Sequence, residues 1–248
     1  MRRHTLSHFV ILITAIFWLV ATTAFAGERR VTFRAGALIE VNFLAVEASA
    51  RATAARADDY YHEVGGTVTD AGGEILGVFD VYQVSNGMVH PQSVGVVQWP
   101  GPDSFRTFKR EIDRNGLGVR TQVWRNFYRL DGDDDITVTF NSDKVYEFVT
   151  LVLNPLGADK MAAFASAIMP LAGRKFTRTP LITLLPVERP GAGLRPDLKA
   201  DRAHIVQWDN KRLIRAWMEH AQTYTDSVRD LLDPAVDRRE LIWTQWLR

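Results

Sequence analysis

One phrase occurs twice in this chain. Residues 96–108 read VVQWPGPDSFRTF and residues 205–217 read IVQWDNKRLIRAW, with Trp208 following Trp99 by 109 positions. Each is an apolar run ending in tryptophan, then a short turn, then a segment with apolar residues at helical spacing. A chain that writes strand–turn–helix twice at such a distance is expected to fold as two like units, which restricts the architectures open to it.

The repeat extends on both sides of that phrase. Unit one opens with VTFRAGALIEVNFLAV at 31–46 and unit two with VTFNSDKVYEFVTLVL at 138–153. Each reads as a short strand, a tight turn (Arg34-Ala35-Gly36 or Asn141-Ser142-Asp143) and a longer strand. A helix is expected next in both. In unit one Ala50, Ala54, Ala57, Tyr61 and Val64 share a face; in unit two Met161, Phe164, Ile168 and Leu171 do, with an end near Pro170 and Gly173.

A second strand follows, GGEILGVFDVYQV at 72–84 and KFTRTPLITLLPVE at 175–188. The quoted phrase supplies the third strand and second helix. Gly101-Pro102-Asp103 suits a helix start, and Phe105, Phe108 and Ile112 form its stripe. In unit two Asp209 or Asn210 can cap, with Leu213, Trp217, His220 and Tyr224 on one face. VWRNFYRL at 123–130 and IWTQWL at 242–247 close the units, pairing Trp124 with Trp243 by position and Phe108 with Trp217.

Each unit thus reads βαββαβ behind an extra short strand, the ferredoxin-like pattern. A four-stranded sheet with helices on one face leaves its other face bare and needs a partner. The expected class is α+β: two tandem ferredoxin-like repeats, residues 31–130 and 138–248, whose antiparallel sheets pack as a pseudo-symmetric α/β barrel. Residues 131–137, beginning DGDDD, read as an acidic linker, since no EF-hand glutamate follows twelve positions along. The Pro/Gly-rich stretch 187–201 reads as a loop that lengthens unit two.

Residues 1–26 are set apart from the fold. Arg2-Arg3, the apolar run from Phe9 to Ala21 and Ala24-Phe25-Ala26 predict an export signal cleaved after Ala26, because the run is shorter than the roughly 20 residues a span needs. The alternative is retention as an anchor. Cleavage removes two arginines and no acid, so 222 residues remain and the formal charge passes from +1 to −1. The expected location is periplasmic or secreted, with no membrane association after cleavage. A near-neutral chain carries no electrostatic footprint for nucleic acid. The absence of cysteine excludes thiol nucleophiles and thiolate metal sites.

The strand that ends in an aromatic, with a second aromatic nine residues later on a helix (Trp99 to Phe108, Trp208 to Trp217), resembles the dimeric α/β-barrel superfamily. More narrowly it is similar to an uncharacterised bacterial branch of it. The partial marks of that branch here are Gly72-Gly73-Glu74 and Gly173-Arg174-Lys175 before the second strand, Trp99-Pro100 and Trp208-Asp209 after the third, and RELIWTQW at 239–246. The resemblance implies the fold, an intramolecular pseudo-dimer in a monomer, and relatives that include quinol-type monooxygenases, lactone isomerases and haem enzymes. It carries over no intact catalytic motif.

Among chemical constellations, G-x-S-x-G and phosphate-loop patterns are missing, and the histidines after the signal segment, His62, His90, His204 and His220, show neither H-x-x-x-H nor H-E-x-x-H spacing. DDYYHEV at 58–64 places Tyr61 and His62 together, expected near the first helix's end, where a phenol and imidazole suit proton transfer. The structural alternative is a buried tyrosine beside an exposed histidine. His204 stands where unit one has Gly95, and a histidine in only one copy marks a place where a site could have been added. Trp99 and Trp208 are the candidate aromatic contacts for a ligand, with core packing as their alternative. The cofactor is unknown from sequence and no metal site is expected. The expectation is a binding module for a small apolar or aromatic ligand in one helix–sheet cleft. The alternatives are a cofactor-independent oxygenase or isomerase with a histidine proton carrier, and haem binding through a histidine.

Overall fold

The protein is described by a computed structural model over residues 27–46, 57–85, 90–115, 121–153, 158–187, 200–221, 223 and 236–246. The expected export segment and most of the 187–201 loop lie outside the described residues. Unit one comprises β1 (Glu28–Phe33), β2 (Leu38–Val46), α1 (Ala57–Asp70), β3 (Glu74–Ser85), β4 (Ser93–Trp99), α2 (Pro102–Asn115) and β5 (Thr121–Leu130). Unit two comprises β6 (Ile136–Asn141), β7 (Val145–Leu153), α3 (Ala158–Phe176), β8 (Thr179–Pro186), β9 (Arg202–Trp208), α4 (Lys211–Ala221) and β10 (Val236–Trp246). The class is α+β. Among the described residues no helix is long and apolar enough to cross a membrane.

Eight strands close into a barrel in the order β10-β3-β4-β2-β5-β8-β9-β7, every pair antiparallel. Each unit contributes four neighbouring strands in the same internal order, and β5–β8 and β10–β3 join the units edge to edge. Closure removes the exposed strand edges that an open four-stranded sheet would present.

Strand alternation sorts the side chains. Along β2, Ile39, Val41 and Phe43 enter the barrel core, while Leu38 and Leu44 face the helices. Helix α2 buries Phe105, Phe108 and Ile112, spaced three and four apart, and carries charges on its other side.

The extra strands have a purpose that was not visible in the sequence. β1 and β6 pair with each other, Val31 opposite Val138, across the two units. Each runs through its turn into β2 or β7, so the ribbon caps that end of the barrel. It contributes Val31, Phe33, Val138 and Phe140 to the core, where Phe140 packs edge-on against Phe79 and Tyr146 at 5.0 and 5.2 Å.

Several expectations need correction. Trp124 and Trp243 lie on corresponding strands but do not correspond. Trp124 pairs with Phe43 and packs toward the barrel core, whereas Trp243 pairs with Glu147 and faces the helices. The counterpart of Trp243 is Phe127, which pairs with Glu40. Helix α1 continues through Gly65-Gly66 to Asp70, so His62 lies in its first half and not near its end. The residues of that helix's expected stripe before Ala57 fall outside the described residues. Helix α3 runs past Pro170 to Phe176, because the surrounding turns keep the helix where one backbone bond is lost. The acidic stretch 131–135 is exposed, and Asp135 accepts a hydrogen bond from the Ala35 backbone at 2.8 Å.

The two units match in fine detail where they enter their second strands. Both β3 and β8 carry a bulge, between Ile75 and Gly77 and between Pro180 and Ile182. Gly72 and Thr177, two residues before the strands, both have left-handed backbone, at φ 81° and 52°. Glycine takes that conformation freely; threonine holds it under strain.

Candidate functional site

Helices and sheet enclose one layer in each unit, and the two layers differ. In unit one, Tyr61, Val64 and Val68 of α1 and the α2 stripe close over Leu38, Leu44, Val78, Val97, Trp99 and Phe127. Trp99 lies 5.8 and 5.0 Å from the rings of Phe105 and Phe108, and Phe105 lies 4.6 Å from Phe127. Every residue of β4 is buried. This layer is filled.

Tyr61 and His62 point apart. Tyr61 is 3% exposed, and its hydroxyl donates to Asn42. Gly95 makes that possible, since a Cβ there would sit 1.6 Å from the Tyr61 oxygen. His62 is exposed on an open groove of about 640 Å³ with Arg29, Gly65, Gly66, Thr69 and Glu74. The tyrosine edge reaches this groove; its hydroxyl is engaged in the core.

Unit two places His204 where Gly95 stands. It is half-buried on the helix side of β9, paired across to Val149, with Nδ1 3.2 Å from Thr183 Oγ1. Burial pushes its pKa down to about 4; the cations Arg178 and Arg202 act in the same direction, against a smaller opposing effect of Asp131. The imidazole is therefore neutral at physiological pH. Around it the described side chains are less deeply buried than in unit one. Arg202 is half-buried where unit one has fully buried Ser93, and Leu151 and Trp217 are partly exposed. Among the described residues the buried Nε of Arg202, Nε1 of Trp243 and hydroxyl of Tyr82 have no hydrogen-bond partner. Tyr82 belongs to β3 yet packs into this layer, where burial and Glu147 hold its phenol well above the ordinary range.

Trp99 and Trp208 are both 0% exposed and offer no ring surface to solvent. Each indole N–H donates to a buried glutamate, Trp99 to Glu40 at 2.9 Å and Trp208 to Glu147 at 3.0 Å. Each glutamate also meets an arginine, and the two arginines come from different elements. Arg125 of β5 approaches Glu40 at 2.8 Å, and Arg178, just before β8, approaches Glu147 at 3.4 Å. The pairing explains the exchange: Leu241 is the counterpart of Arg125, and Gly73 that of Arg178. A Cβ at Gly73 would lie 2.6 Å from Trp99, whereas the Arg178 guanidinium stands 5.8 Å from the Trp208 ring centre. These four charged residues were not singled out in the sequence, although Glu40 and Glu147 occupy the same place in two otherwise apolar strands.

Of the other described histidines, His90 is exposed and His220 lies 5.4 Å from the Phe176 ring. Among the described residues no group of three or more His, Asp or Glu side chains could hold a metal ion. The site candidate that joins a neutral histidine, unpartnered polar atoms and partly exposed apolar side chains is the helix–sheet layer of unit two.

No protein-family model and no curated protein matches the sequence. The fold is shared with solved structures. An anthrone oxidase-like protein matches at TM-score 0.55 and 15% identity, over 89% of this chain and 95% of that one. A haem-binding protein from Thermus thermophilus matches at 0.52 and 10%, over 90% and 95%. A mutant chlorite dismutase from Candidatus Nitrospira defluvii matches at 0.53 and 9%, over 87% and 93%. At these identities the likeness is one of fold, that of the dimeric α+β barrel.

Proposed function

We propose that the protein binds a small apolar or aromatic ligand in the helix–sheet cleft of unit two, with His204 as its principal polar contact. The observation that carries this reading is the contrast at one position: Gly95 lies in a strand buried throughout, while His204 is half-buried beside the partly exposed Arg202 and Leu151. Pockets of this kind are mostly apolar with a few convergent polar groups. The His204 pKa favours binding over proton transfer, because a histidine at about 4 is a weak base near neutrality. An oxygenase or isomerase reading remains the second one, with His204 or the groove-facing His62 as proton carrier.

Haem, which one relative of the same fold binds, also points to His204. It is neutral by burial and flanked by two arginines, of which Arg178 already meets Glu147 and Arg202 has a buried Nε without a hydrogen-bond partner among the described residues. Bound haem would supply a coloured, redox-active iron. Titration with haem separates the readings: a Soret band that appears with the natural chain and not with His204→Ala supports it. Binding of an aromatic fluorophore, anilinonaphthalene sulfonate, displaced by small phenols, tests the apolar cleft. His204→Ala should weaken it at least tenfold while leaving Tm within a few degrees. Loss of binding on His62→Ala, with His204→Ala silent, would move the site to the groove on α1.

Two further readings belong with this one. The shared bulges, the left-handed backbone at Gly72 and Thr177 and the twin Trp–Glu bonds support tandem copies of one ancestral unit, with a monomer as its own pseudo-dimer. Export with cleavage after Ala26 rests on the N-terminal sequence alone. The mass of chain recovered from outside the cytoplasm should begin at Gly27; a mass retaining Met1 in the membrane fraction would replace it with an anchored protein.

A further inference from the structure

A second pocket, of about 480 Å³, opens at the other end of unit two's strands, lined by Asp143, Lys144, Val145, Asn210, Lys211, Arg212 and Gln245. It stands apart from the His204 cleft, since Val145 pairs with Trp208 while His204 pairs with Val149, four residues further along β7. Its charge is what distinguishes it from the same place in unit one. Aligning Leu38–Trp99 with Val145–Trp208, the paired ends of the two central strands, sets Ala37 against Lys144, Pro102 against Lys211 and Asp103 against Arg212. Three cations stand where unit one has two apolar residues and an acid, while Asp143 and Gln245 stand where it has Gly36 and Arg129.

The change opposes local stability. Asp103 lies in the first turn of α2, where negative charge is favourable; α4 has no acid in its first turn and begins with two cations. Part of the positive charge is met from within. Lys144 pairs with Asp209 at 2.7 Å, which holds that carboxyl below its usual range, and Lys211 rests 4.2 Å over the Tyr82 ring. Arg212 makes no ion pair among the described residues, and Asn210 spends only its carbonyl oxygen, on the Leu213 N–H at 3.1 Å. Lysine ammonium groups, a free guanidinium and an amide N–H around one cavity form a donor set for a compact oxyanion.

We propose that this pocket binds the phosphate group of a small molecule or headgroup, through Lys211, Arg212 and Lys144. The test uses the full chain with inorganic phosphate as probe, against sodium chloride at matched ionic strength. Phosphate at 10 mM should raise Tm where chloride does not, and calorimetry should show 1:1 binding. Lys211→Pro/Arg212→Asp, which installs the residues unit one carries there, should raise Tm without phosphate and weaken phosphate binding at least tenfold. Should that variant misfold, Arg212→Ala alone should weaken binding severalfold. His204→Ala should leave phosphate binding unchanged, so this pocket and the cleft can fail separately. Phosphatidylglycerol vesicles that retain the natural chain and release the double variant would identify a lipid headgroup; phosphate binding without vesicle binding would identify a soluble ligand. Equal effects of phosphate and chloride, or undiminished binding in the variants, would overturn the assignment.

Discussion

The indole nitrogen of Trp99 donates to the carboxylate of Glu40 at 2.9 Å, across 59 positions of chain, with both residues closed off from water. Trp208 and Glu147 repeat the contact in unit two. A carboxylate in such a layer persists because an indole and a guanidinium both face it, and removing it strands their charge and donor.

Glu40→Ala should therefore cost about 3–5 kcal/mol, the range for breaking one side of a buried ion pair. Replacing both partners, Glu40→Leu with Arg125→Met, should cost much less, since no charge remains buried. Urea unfolding of the single and double variants measures both. A single-variant loss below about 1 kcal/mol would mean the pair is hydrated and the layer less sealed than its burial indicates.

The lowered pKa of His204 makes stability depend on pH with a definite sign. The unfolded chain takes up a proton at this residue near 6.5 and the folded chain only near 4. Its contribution is complete above about pH 6.5 and is lost as pH falls toward 4, a loss of about 3 kcal/mol at most. Replacement by Gln removes the titrating group. Urea midpoints between pH 7 and 4 should fall less steeply for His204→Gln than for the natural chain; parallel curves would show that the imidazole is solvated.

Gly95→Ala is expected to be among the more damaging single-methyl changes in the chain. The new Cβ would lie 1.6 Å from the Tyr61 hydroxyl and 2.7 Å from Asn42 Oδ1, so the ring must leave its place. Overpacking of this kind costs about 1–3 kcal/mol. Tyr61→Leu in the same chain should recover part of it, and calorimetric Tm values for the pair of variants report whether it does.

Thr177→Gly should stabilise. The residue holds φ 52° while its counterpart Gly72 holds 81° without penalty. Relief of that strain outweighs the added freedom of the unfolded chain by about 0.5–1 kcal/mol. A fall in the urea midpoint would show that the threonine side chain contributes a contact worth more than the strain.

Much of the barrel was legible because burial writes itself into periodicity. The VQW phrase placed Trp99 and Trp208 at the ends of matching strands, and the spacing of Phe108 and Trp217 was correct for the same reason. Trp124 and Trp243 misled because a strand has period two: a position count that includes loops of unequal length fixes the strand but not the face. Pro170 misled in the other direction, since a tertiary setting tolerated what local propensity forbids. The pairing of β1 with β6 had no local signal at all. The buried glutamates did have one. LIEVNF and VYEFVT each interrupt a strand with a carboxylate at the same step, and in each unit the tryptophan of the VQW phrase reaches it. What could not be read was the source of the arginines, because only the folded register shows that Leu241 stands where Arg125 would be needed.

The cap ribbon has a consequence for the order of events when the chain folds. Among the described residues β1 has no partner in its own unit and must wait for β6, with Glu28 meeting Asn141 more than a hundred residues later. β10 pairs on both sides, with β7 and with β3, so the ring cannot close until the last strand arrives. Contacts so distant along the chain slow the search for the native state. A unit-one fragment would lack both its cap and a neighbour for β3, and its folding in isolation should be incomplete. Molecules caught before β10 docks would expose the strand edges that the finished barrel hides, which makes that final pairing the step most open to aggregation.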